Sequence, residues 1–176
     1  MKKLLHEEIA RVPAERIGEI PRHPVILVVD NVRSLYNVGS IFRSCDGALV
    51  EKVILCGYTP YPPRKEISKT ALGATETVPW EYAPDIADAL SGLQRQGLRI
   101  AALEHTDRSV SCFSLRREDF PLAVVVGNEV TGLSDTALSF CDLALEIPMF
   151  GAKQSLNVAV ATGILLFECV RALHLG

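Results

Sequence analysis

Cysteine and histidine are too scattered in this chain to build a metal centre. Cys45, Cys56, Cys112, Cys141 and Cys169 are odd in number and never spaced CxxC. His6, His23, His105 and His174 make no ligand spacing with them or with one another. No metal is therefore expected. Cys45, Cys56 and Cys169 sit among apolar neighbours and read as small core residues of a protein kept in a reducing cytoplasm. No apolar run is read as approaching the ~18 residues of a membrane span. The N-terminal MKKLLHEEIARVPAERIGEI turns acidic without an apolar h-region, so a secretory leader is not expected. An excess of positive charge is missing too. Lys and Arg number 18 against 21 Asp and Glu, for a net charge of −3, which argues against a surface built throughout to coat nucleic acid. A local basic patch stays possible, because attraction to phosphate acts within a Debye length of ~8–10 Å. Arg11, Arg16 and Arg22 before the first strand, and Arg64, Lys65 and Lys69 in a loop, are candidates for one. Solvated surface charge is the alternative reading.

What is present is an ordinary globular composition. The 176 residues are 48% hydrophobic and 22% charged, enough for one domain with a sizeable core. Strand patterns run over PVILVVD (24–30), KVILC (52–56), LRIAALE (98–104), PLAVVVG (121–127) and LALEIP (143–148). Helical patterns lie between them, and the apolar stretch 155–175 closes the chain. Near-continuous apolar strands alternating with helices predict an α/β domain whose mostly parallel sheet has helices on both faces. Residues 1–23 read as an N-terminal extension and 24–176 as the domain. GYTPYPPRKEISK (57–69) reads as a proline-broken loop, long enough to suggest a function.

Ligands of open α/β sheets bind at the carboxyl ends of the strands, so the loops there hold the candidate chemistry. The first strand is followed by DNVRSLYNVGS, which lacks GxGxxG and excludes a dinucleotide fingerprint. GNEVTGLS (127–134) comes close to a phosphate loop, but Leu133 stands where its lysine should be, and Glu129 would set a carboxylate against the phosphates. No GxSxG elbow or Cys–His pair stands out.

Three loops remain, each with a plain structural reading beside the functional one. In NVGSIFRSCDGA (37–48), Asn37 reads as a helix N-cap and Arg43 as a residue on the polar side of that helix. In GNEVTGLS, glycine supplies positive φ at a turn and Ser134 caps the next helix. In IPMFGAKQSLNVAVATGILLFE (147–168), Ser155 or Asn157 caps a final helix that is apolar nearly all round and must be buried in the domain or in a partner.

Taken together and in this order, the three loops resemble the SpoU (TrmH-like) family of RNA ribose 2′-O-methyltransferases, within the SPOUT superfamily. The resemblance rests on Asn37, Gly39 and Arg43, then GNExxGLS, then IPM followed by SLNVxVA, with SKTALGATETVPW (68–80) also similar. It spans roughly residues 24–170. It implies a sheet whose C-terminal segment threads a loop as a trefoil knot, a homodimer with its active site near the interface, and S-adenosylmethionine as methyl donor.

The resemblance also implies site residues. Arg43 is the expected catalytic residue, read as binding the phosphate beside the target ribose, since a guanidinium stays protonated. Asn37, Glu129, Ser155 and Asn157 join it. The cofactor is expected on Leu103, Glu104, Gly127, Asn128, Ile147, Met149, Ser155, Leu156 and Asn157, largely through backbone groups. Arg33 is added to Arg11, Arg16, Arg22, Arg64, Lys65 and Lys69 as candidate RNA contacts. Many relatives carry a separate N-terminal RNA-binding domain. Here selection of the tRNA or rRNA is expected from the extension, the basic loop or the dimer groove. The competing function is a non-catalytic protein of the same fold that binds S-adenosylmethionine or RNA.

Overall fold

The computed structural model describes residues 1–10 and 12–175. Its centre is a seven-stranded sheet in the order β3-β2-β1-β6-β4-β7-β5, with every pairing parallel. The five strands expected from sequence are β1 (His23–Asp30), β2 (Val50–Cys56), β4 (Arg99–Leu103), β6 (Leu122–Val126) and β7 (Leu143–Glu146). Both sheet edges are additions: β3 (Trp80–Ala83) and the two-residue β5 (Val110–Ser111). Side chains alternate between faces with period two. Val25, Leu27 and Val29 of β1 therefore enter one core cluster, while Ile26 and Val28 enter the other.

The first cluster is covered by α1 (Leu35–Gly47) and α6 (Val158–Leu175). Helix α1 buries Val38, Ile41, Phe42 and Cys45, one stripe at helical spacing. Burying a side chain such as Phe42 stabilises the fold by roughly 2 kcal/mol. α2 (Lys65–Ala71) lies directly against α1, and Gly39 allows the approach. A Cβ there would meet Thr70 Oγ1 at 2.1 Å and the Ile67 carbonyl at 2.3 Å. The stretch 57–69 reads as a loop in sequence, yet its last five residues open this helix. A short helix, α3 (Ala74–Thr77), follows. The second cluster is closed by α4 (Ile86–Arg95) and α5 (Asp135–Ser139).

The caps differ in detail from expectation. Ser34, not Asn37, caps α1, accepting from the Asn37 N–H at 3.3 Å. Ser134 caps α5 as expected. Asn157 rather than Ser155 caps α6, its Oδ1 accepting from Ala159 N–H at 2.9 Å.

Two features of the C-terminal part correct or extend the sequence reading. Against the expectation that no apolar run reaches the length of a membrane span, α6 is by length and composition apolar enough to cross a membrane, with a mean hydropathy of 1.7 over 18 residues. The helix packs instead on α1 and on the 3-10 turns at 112–119. Its Arg171 pairs with the nearly buried Glu168 at 2.5 Å. Next, β4, β5 and β6 belong to one segment, 99–126, whose end strands β4 and β6 pair with each other. β7 lies between β4 and β5.

Residues 1–10 and 12–22 precede the sheet and are largely exposed, with 3-10 turns at His6–Glu8 and Ala14–Glu19.

Candidate active site

The carboxyl ends of β4, β6 and β7 open into a cleft of about 450 Å³. Its walls come from 103–105, 126–132, 145–149 and 155–161, so loops far apart in sequence meet here. All nine candidate cofactor residues line it: Leu103, Glu104, Gly127, Asn128, Ile147, Met149, Ser155, Leu156 and Asn157. The GNEVTGLS loop is a tight turn. Asn128 and Gly132 exchange backbone hydrogen bonds at 3.1 and 3.0 Å, and Gly132 sits at φ 68°. A Cβ on Gly127 would lie 2.5–2.7 Å from the backbone of Gly132 and Leu133. Asn128 completes the turn, its Oδ1 accepting from the N–H groups of Val130 and Thr131 at 2.8 and 3.0 Å. The Leu133 N–H donates to Glu104 at 3.0 Å, which ties this loop to the end of β4.

Glu129 points the other way, at the start of α1. Its two oxygens accept from the N–H groups of Arg33 and Ser34 at 3.0 and 3.1 Å and from Asn37 Nδ2 at 2.9 Å. Desolvation pushes this carboxyl up, but those donors outweigh it and hold the group below the usual carboxylate range. An ionised carboxylate with this many donors is a clamp on the α1 N-terminus, where the helix dipole favours negative charge, and is poorly placed to accept a substrate proton. Asn37 extends the chain of contacts, its Oδ1 accepting from Asn157 Nδ2 at 3.1 Å. Asn37, Glu129 and Asn157 therefore form one linked unit, while Ser155 lines the cleft nearby.

Arg43 is elsewhere. Six residues beyond Asn37 on a helix, it is displaced by ~9 Å and turned by about 240°. It lies exposed in a separate shallow concavity with Ser40, Ser44, Lys69, Leu72 and Phe167. Arg43 and the cofactor residues, expected to serve one active site near a dimer interface, line separate concavities of a single chain.

The other basic candidates do not form one patch. Arg22 is committed to the fold, donating to the carbonyls of Val50 and Thr77 at 3.0 and 2.6 Å. Arg16 pairs with Glu19 on the surface at 3.1 Å. Arg33 is exposed and reaches the site through its backbone N–H. Arg64 and Lys65 are exposed where α2 begins, and Lys69 further along α2 borders Arg43. Arg11 lies outside the described residues.

Several site residues went unnoticed in the sequence. Asp30 ends β1 and is buried; desolvation raises its carboxyl, opposed by the Ser134 hydroxyl. Asn31, at φ 55°, receives Asn128 Nδ2 on its carbonyl at 2.9 Å and the Tyr58 N–H on its side chain at 3.1 Å. His105 and Glu146 border the cleft, and Glu146 accepts from Ser109 Oγ at 2.5 Å. The signal available for all of them was position, since each lies at or just beyond the carboxyl end of a central strand. Thiol chemistry has no place here. Burial pushes Cys56 and Cys169 up to about 12 and Cys141 up to about 11, so none is a ready thiolate.

Known proteins of this pattern decide the family. Residues 24–167 match the SpoU rRNA Methylase family. The chain belongs to that family. It is 36% identical over 172 residues to a 23S rRNA (guanosine-2′-O-)-methyltransferase RlmB of Vibrio vulnificus, a match covering 93% of this chain and 69% of the relative. The protein of the same name from Shewanella oneidensis is 37% identical over 150 residues, 84% of this chain and 59% of the relative. The chain thus spans about three-fifths to two-thirds of the length of these relatives. Among solved structures, the A. aeolicus TrmH/SpoU tRNA modifying enzyme superposes with a TM-score of 0.80 at 30% identity, covering 90% of this chain and 81% of that one. The AdoMet-bound rRNA methyltransferase from Sinorhizobium meliloti gives 0.79 at 29% identity, covering 89% and 60%. The SpoU-type α/β architecture expected from the three motifs is therefore this chain's fold.

Proposed function

We propose that this chain is an S-adenosylmethionine-dependent RNA methyltransferase that methylates a ribose 2′-hydroxyl in tRNA or rRNA. The observation that carries the reading is the meeting of the second and third SpoU-family motifs in one cleft, with Asn37 of the first bonded to Glu129 and Asn157 of the other two. Its character suits the donor. Leu103, Leu145, Ile147 and Leu156 give it apolar walls for an adenine, and turn backbone supplies polar groups without a cationic side chain. When bound, S-adenosylmethionine supplies a methyl group on a sulfonium, activated for displacement. Residues 24–176 are the methyltransferase domain in this reading, and 1–23 an extension to it.

The protein's own part is binding and alignment. Glu129, Asn37 and Asn157 fix the start of α1 against the start of α6, so the wall beside the cleft is pre-set. Ser155 lines the cleft and is assigned to the ribose or the methionine end of the donor. Arg43 stays cationic and binds the phosphate next to the target ribose, fixing the hydroxyl for in-line attack, and the proton leaves through phosphate or water. Alignment of this kind lowers a barrier by several kcal/mol.

A homodimer resolves the separation of Arg43 from the cleft. Val160 and Phe167, seven residues apart on one stripe of α6, are 52 and 54% exposed. The start of α6 lines the cleft, and Phe167 borders Arg43. Pairing two copies along this stripe covers apolar surface and brings Arg43 of one toward the cleft of the other. The dimer works on its RNA in the cytoplasm.

The test is methyl transfer from labelled donor to unmodified total RNA, followed by alkaline cleavage. A 2′-O-methyl group blocks that cleavage, so label is expected in dinucleotides and absent with Arg43→Ala. Label in mononucleotides means base methylation and overturns the reading. Donor binding without transfer to a competent RNA pool favours the non-catalytic alternative.

A further inference from the structure

Beyond the cleft, the loop after β2 builds an aromatic ledge at the sheet edge. Tyr58, Tyr61 and Tyr82 are 61, 43 and 41% exposed. Two of them have their hydroxyls turned inward. Tyr82 Oη donates to the Gly57 carbonyl at 2.8 Å, and Tyr58 Oη accepts from Asn128 Nδ2 at 2.8 Å. Tyr61 lies between them in sequence, its ring centroid 4.7 Å from that of Tyr82 and 6.4 Å from Trp80, nearly parallel to the latter at 29°. Trp80 in turn meets the buried Phe42 edge-on. A tyrosine exposed only for solubility turns its hydroxyl to water. Here the hydroxyls of Tyr58 and Tyr82 are bound to protein while both residues stay exposed. Pro60, Pro62 and Pro63 restrict the loop's φ angles, so the ledge is pre-organised.

Charge and position say what fits it. Arg64 and Lys65 follow the ledge directly and are exposed. The acids flanking it in sequence are Glu66, exposed on α2, Glu81, whose charge is met by Lys52 at 2.9 Å, and Asp85, which caps α4. β3 is three strands from β6, or ~14 Å across the sheet at the usual strand spacing. Tyr58 spans part of that gap through its bond to Asn128 of the cleft loop. An occupant of the ledge is therefore continuous with an occupant of the active site.

We propose that Tyr58, Tyr61 and Tyr82, with Arg64 and Lys65, bind unpaired nucleobases of a single-stranded RNA segment flanking the methylated nucleotide. The inference rests on the RNA methyltransferase reading above and names how its substrate is held. Every base has a π-face, so aromatic stacking tolerates sequence while cations follow the backbone. A duplex hides its base faces, so the ledge selects single strands or loops.

Trp80 is the chain's only tryptophan and reports on Tyr61 beside it. Its emission is followed while the full-length protein is titrated with a short single-stranded RNA, and with the same RNA annealed to its complement. Saturable quenching by the single strand alone is expected. Tyr61→Leu, which keeps apolar cover, is expected to weaken binding roughly 10-fold and to raise the RNA KM with kcat within about twofold. Tyr61→Phe restores both, and S-adenosylmethionine affinity is unchanged in either variant. Equal affinity for the duplex, or unchanged affinity of Tyr61→Leu in an enzyme that still methylates, overturns the ledge and leaves the reaction standing. Neither RNA binding nor methyl transfer by the wild-type protein overturns both. Should Tyr61→Leu fail to fold, the Arg64→Ala/Lys65→Ala variant decides. Its slope of log affinity against log salt is expected to fall by roughly 1.4, and an unchanged slope overturns the proposal.

Discussion

The two concavities of this chain are built on different principles. The cleft at the ends of β4, β6 and β7 is made of backbone turns and apolar side chains, and the polar groups around it are largely bound to one another. Asn128 holds its own turn and the Asn31 carbonyl, and Glu129 holds the start of α1. The Arg43 concavity has an exposed guanidinium beside Lys69 on the outer side of α1. One is a pre-formed seat for a small molecule with little net charge to satisfy. The other is a cationic surface suited to a polyanion. They share no lining residue.

Variants that break one side should leave the other standing. The largest effect is expected from Arg43→Ala: methyl transfer falls by two orders of magnitude or more, in line with losing an orienting charge. S-adenosylmethionine affinity measured by calorimetry stays within about twofold. Gly127→Ala is expected to do the reverse. The added methyl meets the backbone of Gly132 and Leu133, distorting the turn at a cost of about 1–3 kcal/mol in stability, with cofactor affinity lost and RNA affinity retained.

Two carboxylates, Glu129 of the cleft and Asp30 at the end of β1, should respond to pH in opposite senses. Glu129 is held below its ordinary value, so its contribution is full above that value and is lost as pH falls through the folded one. Glu129→Gln is expected to flatten the acid side of the stability curve below about pH 4.5 and to cost ~1 kcal/mol at neutral pH. Asp30 is raised by burial, so its ionisation destabilises as pH climbs from the ordinary aspartate value through the raised one. Asp30→Asn is expected to remove that decline, with a melting temperature at pH 7 equal to or above the wild type. Urea unfolding from pH 3 to 8 checks both. The smallest effect belongs to Tyr58→Phe, which removes one hydrogen bond to Asn128. A loss of about 0.5–1 kcal/mol is expected, measured by thermal melting.

The sequence carried the centre of this fold and lost its edges. β1 and β6 are continuous apolar runs buried on both faces, so composition alone marks them. WEYA at the β3 edge is half polar and exposed, and Val110–Ser111 is too short to leave a pattern. α2 was hidden because it starts straight after Pro62 and Pro63 with no capping side chain. Within the site, the rule that ligands gather at strand ends pointed to the loops after β4, β6 and β7, which line the cleft, while the first motif touches it only through Asn37. The bonds of Glu129 to Arg33, Ser34 and Asn37 cross 92 to 96 residues, and no local pattern encodes them. The outward turn of Arg43 was legible, since helical arithmetic from Asn37 places it on another face. Arg22 was not, because a guanidinium capping two carbonyls looks the same in sequence as one facing water.

The measurement that bears most directly on the division between cleft and cation uses two inactive variants. Arg43→Ala and Gly127→Ala chains, carrying different tags, are co-expressed and the mixed dimer is purified through both. If Arg43 of one copy serves the cleft of the other, one of the two sites in the mixed dimer is intact, and about half the wild-type methyl transfer per dimer returns. If Arg43 serves the cleft of its own chain, both sites are broken and no activity returns, which contradicts the proposed assembly of the active site.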